Sequence, residues 1–132
     1  MLELRSYQKE IIEEAYPKLL KLNLLYLSME VRTGKTLTAL SLADKFTNTK
    51  GILFVTKKKA IASIENDYAL LNPSYKITVI NYESLHKIEG DFDIIIIDEA
   101  HSVGTYPKPS KRYKDLKVIV SRYAYTKLIM LS

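Results

Sequence analysis

The sequence has 132 residues and a net charge of +5, with 47% hydrophobic and 27% charged residues. This length suits one domain with its own core, and the composition is that of an ordinary globular protein. The absence of cysteine from the sequence excludes disulfides, thiolate metal sites and cysteine nucleophiles. No apolar run reaches the roughly 20 residues that span a bilayer, and the N-terminus lacks the apolar stretch of a signal peptide. We therefore expect a cytoplasmic protein without membrane association, whose mildly basic charge is compatible with a polyanionic partner.

Helix-like and strand-like patterns alternate along the chain. Apolar residues at helical spacing predict a first helix from about Ser6, which Pro17 would bend or end. A short apolar run at 24–28 predicts a strand, and a helical pattern resumes at Lys35. The later predicted elements are a strand at GILFVT, a helix over Lys58 to Leu71, a strand at KITVI, a turn or helix at NYESLHKI, a strand at FDIIIID, a helix near Ser110 to Ala124 and a strand at KLIML. Apolar strands without alternation, separated by helices, indicate a parallel sheet covered on both faces.

The segment MEVRTGKT lies between a predicted strand and a predicted helix and ends in the Gly-Lys-Thr of a phosphate-binding loop. Backbone N–H groups at the start of a helix favour bound anions, and Lys35 would reach the β and γ phosphates of a nucleotide. The Thr36 hydroxyl would ligate Mg²⁺, and Gly34 would allow a close approach of the backbone. Met29 occupies the position of the usual outer glycine, which weakens the pattern more than the chemistry. The nucleotide-binding candidates of the loop are Met29, Arg32, Thr33, Gly34, Lys35 and Thr36.

An acid pair, Asp98 and Glu99, follows four consecutive isoleucines in IIIIDEAH. In a parallel sheet, ligands bind outside the carboxyl ends of the strands, which is where this pair would lie. Asp98 could hold Mg²⁺ opposite the Thr36 hydroxyl, and Glu99 could orient or deprotonate an attacking water. A helix-capping role would explain Asp98 alone. Together with Lys35, the acid pair supplies the predicted catalytic residues.

Several segments, in order, resemble the motifs of superfamily 2 helicases and translocases. DEAH downstream of GKT is similar to their Walker B motif, and LRSYQKEII is similar to their Q-motif. ILFVTKKKAI resembles motif Ia, VINYESLHKI resembles the segment near motif Ib in Swi/Snf-type members, and KLIMLS resembles the beginning of motif III. The resemblance implies an α/β, three-layer P-loop (RecA-like) domain over residues 1–132, with a mostly parallel central sheet and helices on both faces. ATP and Mg²⁺ are the implied cofactors.

The resemblance also implies roles for residues outside the two nucleotide motifs. Gln8 would read the adenine edge, and Arg5 belongs to the same nucleotide-binding segment. His101 would couple the nucleotide site to Ser132 in motif III and from there to the nucleic acid.

Nucleic acid is the implied partner, and the resemblance favours DNA. Thr56, Lys57 and Lys58 lie in the segment that resembles a strand-tracking surface, where a hydroxyl and lysines would contact backbone phosphates without reading sequence. Tyr82 is a candidate platform for stacking on a base.

These expectations describe the first motor domain of an ATP-dependent DNA helicase or double-stranded DNA translocase. Motors of this superfamily have two RecA-like domains, and the second one supplies arginine fingers worth about 10³–10⁵ in rate. Since the chain stops as motif III begins, we expect it to be truncated, weakly active or inactive alone, and prone to self-association through uncovered apolar surface. Two alternatives stay open: a small-molecule kinase of another P-loop class, and a non-catalytic module that binds a nucleotide or a partner.

Overall fold

The structure is a computed structural model that describes residues 4–27, 34–46, 49–88, 92–98 and 126–131. The helices in these ranges are α1 (Ser6–Leu22), α2 (Lys35–Asp44) and α3 (Ile61–Leu71), with short 3-10 helices at Lys58–Ala60 and Tyr82–Lys87. The strands are β1 (Leu24–Leu27), β2 (Gly51–Thr56), β3 (Lys76–Asn81), β4 (Ile94–Ile97) and β5 (Lys127–Leu131). The helix predicted near Ser110 to Ala124 lies outside the described residues.

The five strands form one sheet in the order β1-β5-β4-β2-β3, and every pair of neighbours is parallel. The long apolar runs explain this arrangement, because a parallel strand is buried on both sides and needs no alternation of polar residues. β4 consists of four buried isoleucines, and β2 is buried from Ile52 to Thr56. The α/β fold with a parallel central sheet is therefore confirmed.

The two sides of the sheet belong to two apolar clusters. One cluster contains Ile52, Phe54 and Ile96 together with the inner faces of α1 and α2 and Ile64 of α3. The other contains Leu53 and Val55 of β2, alternate isoleucines of β4 and the buried Tyr82. Alternation along each strand thus divides its side chains between two cores, which fixes the register of the central strands.

Helix α1 continues through Pro17 to Leu22, so of the two expected effects of this proline, bending or ending the helix, the ending does not occur. Pro17 is exposed, and Ala15 and Leu19 on either side of it are buried against the sheet. Packing of the inner face therefore maintains the helix where the proline removes a backbone donor. None of the helices in the described ranges combines the length and hydropathy needed to cross a membrane.

Candidate functional site

The carboxyl edge of the sheet brings together residues from segments that are distant in sequence. β2 pairs with β4 so that Val55 lies opposite Ile97, which makes Thr56 and Asp98 neighbours just beyond the paired residues. β1 ends at the same edge, and α2 begins there with Lys35. The structure therefore places Lys35, the lysine of the predicted phosphate loop, beside Asp98 of the acid pair.

Asp98 is buried, with an exposed fraction of 5%, and is bonded on three sides. Its backbone N–H donates to the carbonyl of Val55 at 2.8 Å, and its backbone carbonyl accepts from the Tyr82 hydroxyl at 2.6 Å. Its carboxylate Oδ2 accepts from the Thr56 hydroxyl at 2.9 Å. The backbone and one carboxylate oxygen are therefore fixed by the protein.

The second carboxylate oxygen of Asp98 faces the phosphate loop. Oδ1 is buried and accepts no hydrogen bond within the described residues, but the Lys35 ammonium lies 3.1 Å from it. The exposed side-chain fractions are 15% for Lys35 and 7% for Asp98, so solvent screens this ion pair only weakly. The lysine side chain is flexible and can reorient to contact a bound anion. The buried carboxylate oxygen that it then leaves is suited to bind a different cation.

Gly34 is the residue directly before α2. Its φ of +74° lies in the left-handed region that glycine adopts without strain. Its carbonyl accepts from the Thr38 N–H at 3.0 Å, the Thr38 hydroxyl at 2.9 Å and Gln8 Nε2 at 3.2 Å. A Cβ at Gly34 would overlap Gln8 Nε2. A Cβ here would therefore be strained by the backbone conformation and would require the Gln8 amide to move.

Gln8 connects the start of α1 to the phosphate loop. Its Oε1 accepts from the Arg5 N–H at 2.8 Å while Nε2 donates to Gly34, and the residue is only 4% exposed. The Arg5 side chain is exposed, and its guanidinium contacts the Tyr7 hydroxyl at 3.3 Å. The predicted contact of Gln8 with adenine stays a prediction, and the observed bonds give this side chain a second role in shaping the loop.

The donor set fits a magnesium nucleotide. In the described ranges there is no cluster of three or more acidic, histidine or cysteine side chains that could enclose a metal ion. Mg²⁺ bound with a nucleotide does not need one, because it takes one or two carboxylates together with phosphate oxygens and water. Asp98 supplies such a carboxylate with a buried oxygen left without a hydrogen bond, and Thr36 lies in the first turn of α2 beside Lys35.

The predicted nucleic-acid residues occupy two different environments. Thr56 is fully buried, and its hydroxyl donates to Asp98, so this hydroxyl is not exposed for the predicted contact with a DNA phosphate. Lys57 and Lys58 are exposed where the chain leaves β2. The expectation that Tyr82 stacks on a base was wrong, because its ring is 1% exposed. Sequence patterns gave no signal for the bonds of Thr56 and Tyr82 to Asp98, since these depend on the order of strands in the sheet.

The remaining predicted site residues lie outside the described residues and stay predictions. They are Met29, Arg32, Thr33, Glu99, His101 and Ser132.

Comparison with known proteins agrees with this geometry. Residues 1–73, more than half of the chain, match the family described as "Type III restriction enzyme, res subunit". Among curated proteins, none matches the sequence. The family match confirms the resemblance to superfamily 2 helicase-type proteins.

Two solved structures have a similar fold. A nuclease-deletion mutant of the Type ISP restriction-modification enzyme LlaGI, in complex with a DNA substrate mimic, has a TM-score of 0.70 at 16% identity, over 99% of this chain and 17% of that one. The ATP-dependent Type ISP restriction-modification enzyme LlaBIII, bound to DNA, has a TM-score of 0.69 at 18% identity, over 99% of this chain and 12% of that one. This chain spans less than a fifth of the length of these enzymes. At such identities the likeness concerns the fold, and it confirms a RecA-like domain.

Proposed function

The chain belongs to the family of the Type III restriction enzyme res subunit, and from this membership and the site geometry we propose that it binds Mg-ATP as the first motor domain of an ATP-dependent DNA helicase or double-stranded DNA translocase. The observation that supports this most directly is the buried ion pair between Lys35 and Asp98 at 3.1 Å. In this pair, the lysine that we propose for a nucleotide phosphate contacts the carboxylate that we propose for its metal ion. The pair lies at the carboxyl edge of a parallel sheet, where ligands of such sheets bind.

Each residue of this proposal has a defined task. Lys35 would bind the β and γ phosphates in place of Asp98, while the Thr36 hydroxyl and the Asp98 carboxylate would hold Mg²⁺. When bound, Mg²⁺ neutralises charge that develops on the transferred phosphoryl group. Glu99 positions or deprotonates the attacking water, and Gly34 with Gln8 holds the end of the loop in its left-handed conformation.

DNA is the proposed partner of the exposed lysines that follow β2. Lys57, Lys58 and Lys59 are all exposed at the carboxyl edge, beside the strand whose last residue contacts Asp98. Both solved enzymes of similar fold are in complexes with DNA or a DNA mimic. A second RecA-like domain, in cis or in trans, would close the nucleotide site and supply the arginine finger. We therefore propose that the domain alone is weakly active or inactive as an ATPase.

The first experiment measures Mg-ATP affinity. Isothermal titration of the 132-residue chain with a non-hydrolysable ATP analogue and Mg²⁺ should give binding that Lys35→Ala weakens by about tenfold or more, since a charge-assisted contact to phosphate is lost. Lys18→Ala is the matched control, because Lys18 is an exposed lysine near the end of α1, away from the Gln8 end that contacts Gly34. Absence of binding by the unmodified chain, or equal affinity of the Lys35 variant, would refute the proposal.

The second experiment separates a motor domain from a non-catalytic module that binds a nucleotide or a partner. ATP turnover is measured with saturating duplex DNA, before and after addition of a second RecA-like domain. A motor domain should show slow turnover alone and a rise of about a thousandfold or more when the arginine finger is supplied. Binding without any rise would favour the non-catalytic module, and rapid turnover by the chain alone would show that no second domain is needed.

A further inference from the structure

Two buried hydroxyl groups donate hydrogen bonds to Asp98. They belong to residues at the ends of β2 and β3, the two strands farthest from β1 and the loop that follows it. The Thr56 hydroxyl, at the end of β2, donates to Oδ2 at 2.9 Å. The Tyr82 hydroxyl, directly after β3, donates to the backbone carbonyl at 2.6 Å. With Lys35 on Oδ1, the carboxylate cannot rotate without breaking one of these contacts.

Both hydroxyl-bearing residues are joined directly to segments at the protein surface. Thr56 precedes Lys57 and the 3-10 helix Lys58–Ala60, whose two lysines are exposed. Tyr82 is the first residue of the 3-10 helix Tyr82–Lys87, in which Glu83 and Lys87 are exposed. A ligand that shifts either segment therefore acts on a group bonded to Asp98.

The remaining bonds of the site strengthen this connection. Asp98 also donates its N–H to the Val55 carbonyl, so the backbone of β2 is bonded directly to the aspartate. Thr56 and Tyr82 are 0% and 1% exposed, and so neither can contact a nucleic acid itself. A nucleic acid would therefore act on these two residues through other parts of the chain, such as the surface segments that follow them.

We propose, on the basis of the function proposed above, that Thr56 and Tyr82 are positioning residues. Through them, binding of nucleic-acid backbone phosphates to the two surface segments is coupled to binding of Mg-ATP at Asp98. Binding of nucleic acid at 57–60 or 82–87 changes the position of these hydroxyls. Because the hydroxyls are bonded to Asp98, the affinity of its carboxylate for the metal ion changes as well. By linkage, Mg-ATP changes nucleic-acid affinity by the same factor.

The test is a coupling ratio measured on the 132-residue chain. The dissociation constant of a fluorescent ATP analogue with Mg²⁺ is determined with and without a saturating duplex DNA of mixed sequence. The unmodified chain should show a change of about fivefold or more between the two conditions. Tyr82→Phe and Thr56→Val, which remove only the hydroxyl functions, should bring the ratio to within about twofold of one. Thr56→Ser keeps the hydroxyl and should retain the coupling.

Two control variants separate coupling from general destabilisation. Tyr75→Phe removes a hydroxyl that donates to the Leu40 carbonyl at 2.7 Å, and Thr126→Val removes one that donates to the Phe92 carbonyl at 2.7 Å. The Tyr75 bond is buried and the Thr126 bond is half-buried, and neither involves Asp98, so both variants should keep the coupling ratio of the unmodified chain. Thermal unfolding is recorded for every variant.

The outcomes distinguish this inference from the proposed function. If the unmodified chain binds both ligands but shows no coupling, or if the Thr56 and Tyr82 variants keep the full ratio, the inference is wrong while the proposed function stands. If the unmodified chain fails to bind Mg-ATP at all, the proposed function is wrong, and the inference falls with it.

Discussion

At the scale of single residues, Asp98 is the point where the polar contacts of the site converge. Four groups contact it, from β2, from the segment after β3 and from α2. A carboxylate this buried is tolerated because an ammonium and a hydroxyl compensate for its lost hydration. Its contacts therefore contribute to stability and, under the proposed function, to ligand binding.

The ion pair of Lys35 and Asp98 predicts a non-additive effect on stability. Lys35→Ala leaves a buried carboxylate without its cation and should lower the free energy of unfolding by on the order of 1–3 kcal/mol. Adding Asp98→Asn removes the uncompensated charge and should recover part of this loss. Urea unfolding of the four members of the double-mutant cycle measures the coupling. A single Lys35→Ala variant as stable as the unmodified chain would contradict the prediction.

Gly34 predicts a second effect that belongs to one residue. Gly34→Ala must place a Cβ in the left-handed region, which costs about 1–2 kcal/mol, and must also displace Gln8 Nε2. We expect a lower free energy of unfolding, measured by urea titration, and weaker Mg-ATP binding, measured by titration with the nucleotide. Gly51→Ala is the matched control, because a Cβ there meets no atom within 4 Å. Equal effects of the two substitutions would show that the conformation of Gly34 is unimportant.

At the scale of elements, the sequence predicted the helices and strands well because their signals are local. The isoleucines of β4 and the apolar face of α1 are readable from neighbouring residues alone. The path of α1 through Pro17 was not readable, because it depends on packing of the inner helix face against the sheet. The bonds of Thr56 and Tyr82 to Asp98 depend on strand order, which a single sequence does not specify. What could be predicted of the site was therefore its motifs, and what could not was the set of contacts between them.

The hydrogen bond between Tyr75 and α2 predicts that the stability of the domain depends on pH. The Tyr75 hydroxyl, just before β3, donates to the Leu40 carbonyl of α2. Burial raises the pKa of Tyr75 well above its ordinary value of 10.0, and the nearby Asp44 and Tyr68 raise it further. Because the folded pKa exceeds the unfolded pKa, the stability that this group contributes is present below the unfolded value and is lost as the pH rises beyond it.

Comparison with Tyr75→Phe isolates this titration. The unmodified chain should be the more stable one at neutral pH, and its advantage should shrink above about pH 10 by up to about 1.4 kcal/mol per pH unit. Urea unfolding of both proteins between about pH 8 and about pH 11 measures the difference, in which the titration of the remaining tyrosines cancels. A constant difference over this range would contradict the assignment.

At the scale of the whole molecule, the sheet separates the two ends of the domain. Lys58 and Lys59 lie at the carboxyl edge, where Asp98 and Lys35 meet. Lys18 and Lys21 lie in the last turns of α1, which precede the amino end of β1 at the opposite edge. All four lysines are exposed, so position and not burial distinguishes the two pairs.

This separation predicts which charges contribute to DNA binding. Each phosphate contact contributes about 0.9 to the slope of log affinity against log salt for duplex DNA. Replacing Lys58 and Lys59 by alanine should therefore reduce the slope by up to about 1.8 and weaken binding at every sequence tested. Replacing Lys18 and Lys21 by alanine lowers the net charge equally, from +5 to +3 (5 − 2), but should leave the slope nearly unchanged. Fluorescence anisotropy with duplex DNA over a range of salt concentrations measures both. Equal loss of slope in the two variants would mean that DNA responds to net charge alone, and would refute a DNA-binding surface at the carboxyl edge.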